Sequence, residues 1–349
     1  MLVIVAPGQG SQAPGFLAPW LELPGLPERL ERLSEVAQSD LVAHGTTSDA
    51  PTIKDTAVAQ PLIVGAGLVA LSALFGVDRA AAPDRGDDAG RADGRAASPV
   101  GATAGHSVGE ITAAAFAGVL TEDEAVAFVR ERGRGMAQAS AVAPTGMSAV
   151  VGGDPEEVLA VLDSLGLTPA NLNGAGQVVA AGTLEQLSAL DGAPPARARV
   201  VPLQVAGAFH TRHMDPAVDR LARHVLDLAA QDPAVPLVSN ADGTVVDDGE
   251  EVLRRLVRQV SNPVRWDLTM DTFLAMGVTG LIEIPPAGTL VGLAKRALRG
   301  VETLALKTPD DLDQARRMIQ EHGGPQDAGP DAPPHPGQPE HQHPQEDTP

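Results

Sequence analysis

Val100-Gly101-Ala102-Thr103-Ala104-Gly105-His106-Ser107-Val108-Gly109-Glu110 is the stretch on which the reading turns. Residues 100–104 have the small, apolar character of a buried strand, 105–109 form a tight turn, and 110–117 continue as a helix of small residues. Gly105-x-Ser107-x-Gly109 between strand and helix fits a nucleophile elbow. The spacing has a steric reason: a sharp turn brings the two elements close, so a side chain at either glycine would clash, and the serine is held in a strained conformation. Ser107 Oγ would then stand near the helix N-terminus, where backbone N–H groups favour a developing oxyanion. His106 neighbours the serine, but adjacent residues on a tight turn point apart, so it is expected to pack or hydrogen-bond within the elbow.

Upstream, Leu2-Val3-Ile4-Val5-Ala6 reads as a second buried strand, ending at Pro7 and feeding the loop Gly8-Gln9-Gly10-Ser11-Gln12. Helical periodicity follows over 26–39 and 55–75, and a charged, Gly- and Ala-rich stretch over 78–98 reads as an exposed loop. Downstream, a helix is expected over 121–141. Residues 147–204 then read strand, helix, strand, strand, helix, strand, the split pattern of a ferredoxin-like unit. Beyond it come a helix near 213–230, a strand at 235–239, helices near 249–260 and 267–276, a strand at 279–284, a helix at 289–298, a strand at 301–306 and a helix at 309–320. Such alternation implies a parallel sheet covered on both faces. The predicted fold class is therefore α/β: a large hydrolase-like parallel-sheet domain (1–142 and 206–320) interrupted by a ferredoxin-like α+β small domain (143–205). Residues 321–349, rich in Pro, Gly, Gln, His and acid, read as a disordered tail that includes His322.

Composition narrows the chemistry. With 349 residues of which 43% are hydrophobic, most of the chain is expected to fold. Cysteine is absent, which removes disulfides and thiolate nucleophiles and leaves no thiolate-ligated metal. The net charge of -20 argues against a general nucleic-acid binder. No apolar run is read as reaching the roughly 18 residues needed to cross a bilayer, and no signal peptide is read at the start. The expected protein is cytoplasmic, off the membrane and monomeric. The tail histidines are not read as a functional metal site.

The motifs resemble, in order, those of the malonyl-CoA:acyl carrier protein transacylase family and the acyltransferase domains of fatty-acid and polyketide synthases. They are Pro7-Gly8-Gln9-Gly10-Ser11-Gln12, Gly105-His106-Ser107-Val108-Gly109-Glu110, Arg132-Gly133-Arg134-Gly135-Met136, Asn173-Gly174-Ala175-Gly176-Gln177, Gly207-Ala208-Phe209-His210 and Asn262-Pro263-Val264-Arg265-Trp266. The resemblance covers about 2–320. It implies ping-pong transfer of malonyl from malonyl-CoA to the phosphopantetheine thiol of acyl carrier protein, with coenzyme A as a substrate handle and no cofactor. Ser107 matches the nucleophile, His210 its base, and Arg132 the partner of the malonyl carboxylate. The backbone N–H groups of Gln9 and Val108 match the oxyanion hole, and the Gln259 carbonyl matches the group that orients the histidine. Phe209, where Gly207 replaces a first histidine found in synthase relatives, and Asn173 match the acyl pocket.

The residue types suit these roles on their own chemistry. A hydroxyl near neutral pH needs a base within hydrogen-bond reach, and a guanidinium grips a carboxylate through two parallel hydrogen bonds. Two other readings stay open: a hydrolase, because the elbow also serves lipases and thioesterases, and a non-enzymatic interaction module. For docking an acidic carrier, the basic candidates are Arg197, Arg199, Arg212, Lys295 and Arg296.

Overall fold

The computed structural model describes residues 1–76 and 98–324. The proposed loop at 78–98 and the tail beyond 324 lie almost wholly outside those residues. In chain order the elements are β1 (Leu2–Ala6), α1 (Leu26–Ala37), α2 (Leu41–Thr46), α3 (Ala50–Lys54), α4 (Thr56–Phe75), β2 (Ala102–Gly105), α5 (Gly109–Phe116) and α6 (Glu122–Ser140). There follow β3 (Thr145–Gly152), α7 (Pro155–Ser164), β4 (Thr168–Gly174), β5 (Gln177–Thr183), α8 (Leu184–Gly192), β6 (Ala198–Pro202) and α9 (Asp215–His224). The chain ends through β7 (Leu237–Val238), β8 (Val245–Val246), α10 (Gly249–Gln259), β9 (Val264–Arg265), α11 (Trp266–Ala275), β10 (Gly280–Glu283), α12 (Thr289–Ala297), β11 (Glu302–Ala305) and α13 (Leu312–His322).

Two sheets organise these elements in a mixed α/β architecture. The larger runs β11-β10-β1-β2-β7-β8 and is parallel except for the antiparallel edge pair β7–β8. Every residue of β1 and β2 is buried, as expected of central parallel strands covered on both faces. In the register Ala6 sits opposite Gly105, so the loop after β1 and the serine turn after β2 leave the sheet side by side. The chain steps from β1 to β2 on one side and returns to β10 on the other, the kind of switch point where open α/β sheets leave a crevice at their carboxyl ends.

The smaller sheet runs β6-β3-β5-β4-β9, antiparallel through its first four strands. Alternate residues part to opposite faces. Val150 and Ala180 pack with Val158 and Leu162 of α7 and Leu187 and Leu190 of α8, whereas Met147, Ala149, Val179 and Ala181 join the main core. The fifth strand departs from the predicted four-stranded unit: β9, from far beyond 205, pairs in parallel with β4, placing Asn171 opposite Val264.

Other departures from the sequence reading have local causes. The helix expected over 213–230 is shorter, with 3₁₀ turns at Arg212–Met214 and Val225–Asp227 flanking α9. His322 belongs to α13 instead of a tail, and its ring bonds Thr279 and Glu302. The expectation of no apolar run near 18 residues fails at α4: twenty residues without a charge, long and apolar enough by composition to cross a membrane. Most of its residues are buried, and it packs against α1, α5, α6 and α13, so its all-round apolarity is that of a central core helix.

Candidate active site

The elbow glycines answer to the geometry. A Cβ on Gly105 would lie 2.0 Å from the carbonyl carbon of Gly109 and 2.1 Å from the nitrogen of Glu110; one on Gly109 would lie 2.2 Å from the carbonyl oxygen of Ala6. Only glycine lets β2, the first turn of α5 and the end of β1 meet this closely. Ser107 itself has φ 53°, in the left-handed region. The turn is pinned by His106 N–H to the Ala6 carbonyl at 2.9 Å and by Ser107 N–H to Asn240 Oδ1 at 3.1 Å.

His210 arrives from the segment that follows the small sheet. Its N–H donates to the Val260 carbonyl at 3.0 Å, the Ala208 N–H to Thr145 Oγ1 at 3.1 Å, and the Thr211 hydroxyl to the Ala208 carbonyl at 2.7 Å. Gly207 brings the segment against α6, where a Cβ would lie 2.2 Å from Ser140 Oγ. The backbone at His210 is also left-handed, with φ 60°.

These two segments place His210 Nε2 2.7 Å from Ser107 Oγ, and His210 Nδ1 2.8 Å from the Gln259 carbonyl oxygen. A carbonyl only accepts, so Nδ1 carries the proton and Nε2 presents its lone pair to the serine hydroxyl. Burial pushes the imidazole pKa down to about 3, and the Arg132 charge adds to this against the Gln259 bond. The neutral base form therefore prevails at ordinary pH.

Arg132, on α6, is 1% exposed. Its guanidinium donates to Gln60 Oε1 of α4 at 2.8 Å, to Gln259 Oε1 of α10 at 2.8 Å and to Ser107 Oγ at 3.2 Å. Burial pulls its pKa down to about 9, with the charge of Glu110 opposing, so it remains protonated near neutrality. Among the described residues no carboxylate lies within ion-pair distance of it, and its Nε has no partner. A buried cation held by neutral amides is costly unless an anion joins it.

The remaining predicted residues fall as follows. The Gln9 side chain donates to the Lys54 carbonyl at 3.1 Å, and Val108 is buried at the N-terminus of α5. Among the described residues neither backbone N–H donates to a protein acceptor. Phe209 packs in the main core. The Asn173 amide oxygen lies 2.9 Å from His106 Nε2, and its amide nitrogen donates to Gln177 at 3.2 Å. The His106 ring also stands edge-on to Trp266 at 5.6 Å, so it is engaged away from the serine. Gln60, Asn240 and Glu110 were given no role from sequence. Gln60 had a signal, the one amide in a helix without charges; Asn240 had none.

Comparison with known proteins gives the family of the chain. The family model described as acyl transferase domain matches residues 3–321. The malonyl CoA-acyl carrier protein transacylase of Mycobacterium tuberculosis is 49% identical over 91% of this chain and 100% of its own length; that of Bacillus subtilis is 30% identical over 92% and 98%. The crystal structure of the M. tuberculosis protein superposes with a TM-score of 0.83 over 90% of this chain and 99% of that one. A complex of a type II polyketide-synthase acyl-carrier protein with its malonyl-transacylase is similar at 29% identity and a TM-score of 0.78, covering 90% of this chain and 99% of the transacylase.

Proposed function

The chain belongs to the acyl transferase domain family, and on that premise we propose that it is an enzyme moving a malonyl group from malonyl-CoA to the phosphopantetheine thiol of acyl carrier protein. The observation that carries the malonyl assignment is Arg132. A buried guanidinium 3.2 Å from the serine oxygen, with amides as its neighbours, suits an acyl group bearing its own carboxylate.

In the proposed sequence Ser107 gives its proton to His210 Nε2 as Oγ attacks the thioester carbonyl, and the Gln9 and Val108 N–H groups receive the oxyanion. The carbon–sulfur bond breaks, coenzyme A sulfur takes the proton from His210, and malonyl-serine remains. The carrier thiol then delivers its proton to His210, its sulfur attacks the ester, and Ser107 leaves with that proton. The Gln259 carbonyl keeps the imidazole in its working tautomer throughout. Coenzyme A thioester is a substrate, and the steps balance without a cofactor. Phe209 and Asn173 are proposed to bound the acyl pocket, the latter through its bond to His106.

The finer fold reading, a hydrolase-like domain with a ferredoxin-like insert, draws support from the order β6-β3-β5-β4 with α7 and α8 on one face. Arg197, Arg199, Arg212, Lys295 and Arg296 are all exposed, as a docking surface for an acidic carrier requires. The product would serve as extender unit in fatty-acid or polyketide synthesis.

The test is mass spectrometry after brief exposure to malonyl-CoA, with acetyl-CoA in parallel. A malonyl adduct on Ser107, absent in Ser107→Ala, is expected. Arg132→Ala should lose about 10- to 100-fold in kcat/KM for malonyl-CoA, the worth of charged hydrogen bonds, while acetyl transfer is spared. Equal loss for both acyl groups refutes the carboxylate role, and hydrolysis outpacing transfer to holo carrier would make the protein a thioesterase.

A further inference from the structure

Three functional groups around Ser107 trace back to one carboxylate that touches none of the reacting atoms. Glu110 lies in the first turn of α5 and is 3% exposed. Its Oε1 accepts the Asn240 N–H at 2.9 Å, and its Oε2 accepts from Gln259 Nε2. Asn240 Oδ1 in turn accepts the Ser107 N–H at 3.1 Å. Gln259 shows its side-chain oxygen to Arg132 and its main-chain oxygen to His210 Nδ1, each at 2.8 Å. The nucleophile's backbone, the base's anchor and the guanidinium's amide partner are thus tied to a single side chain.

The direction of this chain is forced. A guanidinium only donates, so Gln259 must turn its oxygen toward Arg132 and its nitrogen toward position 110. The Asn240 N–H asks for a second acceptor on the same side chain. Of side chains this length, only a carboxylate offers two acceptors and no donor. An amide at 110 would set N–H against N–H, either at Gln259 or at Asn240. Burial pushes the Glu110 carboxyl pKa up, and its hydrogen bonds from Asn240 and Gln259 oppose this; among the described residues it forms no ion pair with Arg132, which leaves the guanidinium free to pair with substrate.

We propose that Glu110 is a positioning residue of the acyl transfer: it fixes the donor order that aims Gln259 at both Arg132 and His210 while Asn240 holds the serine turn. The inference rests on the malonyl-transfer reading above.

The experiment compares the parent protein, E110Q and the swap E110Q/Q259E, with kcat and KM for malonyl-CoA measured per site that takes the malonyl label. E110Q should lose about a hundredfold in kcat, the scale of a small misplacement in an active site, with KM changed less than about threefold. The swap restores the donor order: a carboxylate at 259 accepts from Arg132 and from the amide at 110, whose oxygen accepts from Asn240. It should recover at least about tenfold of kcat, yet raise KM for malonyl-CoA about tenfold or more, because the charge now competes with substrate for the guanidinium. A merely structural role would not exchange kcat for KM in this way. E110Q within about threefold of parent kcat overturns the proposal, as does a swap that is no faster than E110Q or is insoluble; if E110Q alone is insoluble, the swap decides. A parent that takes no malonyl label refutes the reaction assigned above, whereas a labelled parent with unimpaired E110Q refutes only the role of Glu110.

Discussion

At the scale of single residues, the consequence of burying His210, the base of the proposed reaction, is an imidazole that does not titrate where histidines usually do. Free imidazole takes a proton near pH 6.5, but here burial and the neighbouring Arg132 charge hold the folded pKa at about 3. The acylation kcat/KM, which reports the free enzyme, should therefore stay flat from pH 7.5 down to about 5. A tenfold fall per unit below pH 6.5 in stopped-flow acylation would refute this. The same shift has a stability side. Between about pH 6.5 and 3 the unfolded chain takes up a proton that the folded chain refuses, so this residue costs the fold up to about 1.4 kcal/mol per pH unit as pH drops. That Ser107 and His210 would meet could be expected from the elbow and the need of a hydroxyl for a base, whereas Arg132, a lone arginine on a helix, was singled out only by the family resemblance; the structure brings all three side chains together. The Gln60 and Asn240 contacts were not legible, since a buried amide acquires its meaning only from the donor or acceptor that tertiary structure brings to it.

At the scale of elements, the elbow depends on backbone meeting backbone. The Gly109→Ala methyl would fall 2.2 Å from the Ala6 oxygen and 2.7 Å from the Pro7 oxygen, neither of which can yield without parting β1 from α5. Urea unfolding should show a loss of about 3 kcal/mol, the upper range for overpacked sites; a loss under about 0.5 kcal/mol would mean that the junction is slack. The long helices were readable because each carries several turns of pattern or a clear start, as in α6, where Thr121 and Glu124 form a capping box. The two-residue strands β8 and β9 and the short helices α2 and α3 were not, because so few residues express no period.

At the scale of the whole molecule, the two sheets share a core. Met147, Ala149, Val179 and Ala181 of the small sheet pack into the same cluster as β1 and α4, and β9 completes that sheet from a distant part of the chain. Hydrophobic burial of this kind couples the parts, so scanning calorimetry should show one cooperative transition with calorimetric and van't Hoff enthalpies in agreement. Two resolved transitions would make residues 143–205 an independent unit after all. The βαββαβ order inside that segment could be read locally. Its fifth strand could not, since parallel pairing across some ninety positions leaves no trace in either partner's own pattern.

The tight seat of Gly207 on Ser140 has an outcome for anyone hoping to retool the chamber by directed evolution. The beam that bears the Arg132 guanidinium also props the shoulder leading to the His210 ring, so the two cannot be retuned apart by sliding it. Broader acyl tolerance on this scaffold should emerge through exchange of side chains lining the hollow, with the supporting rod left where it lies.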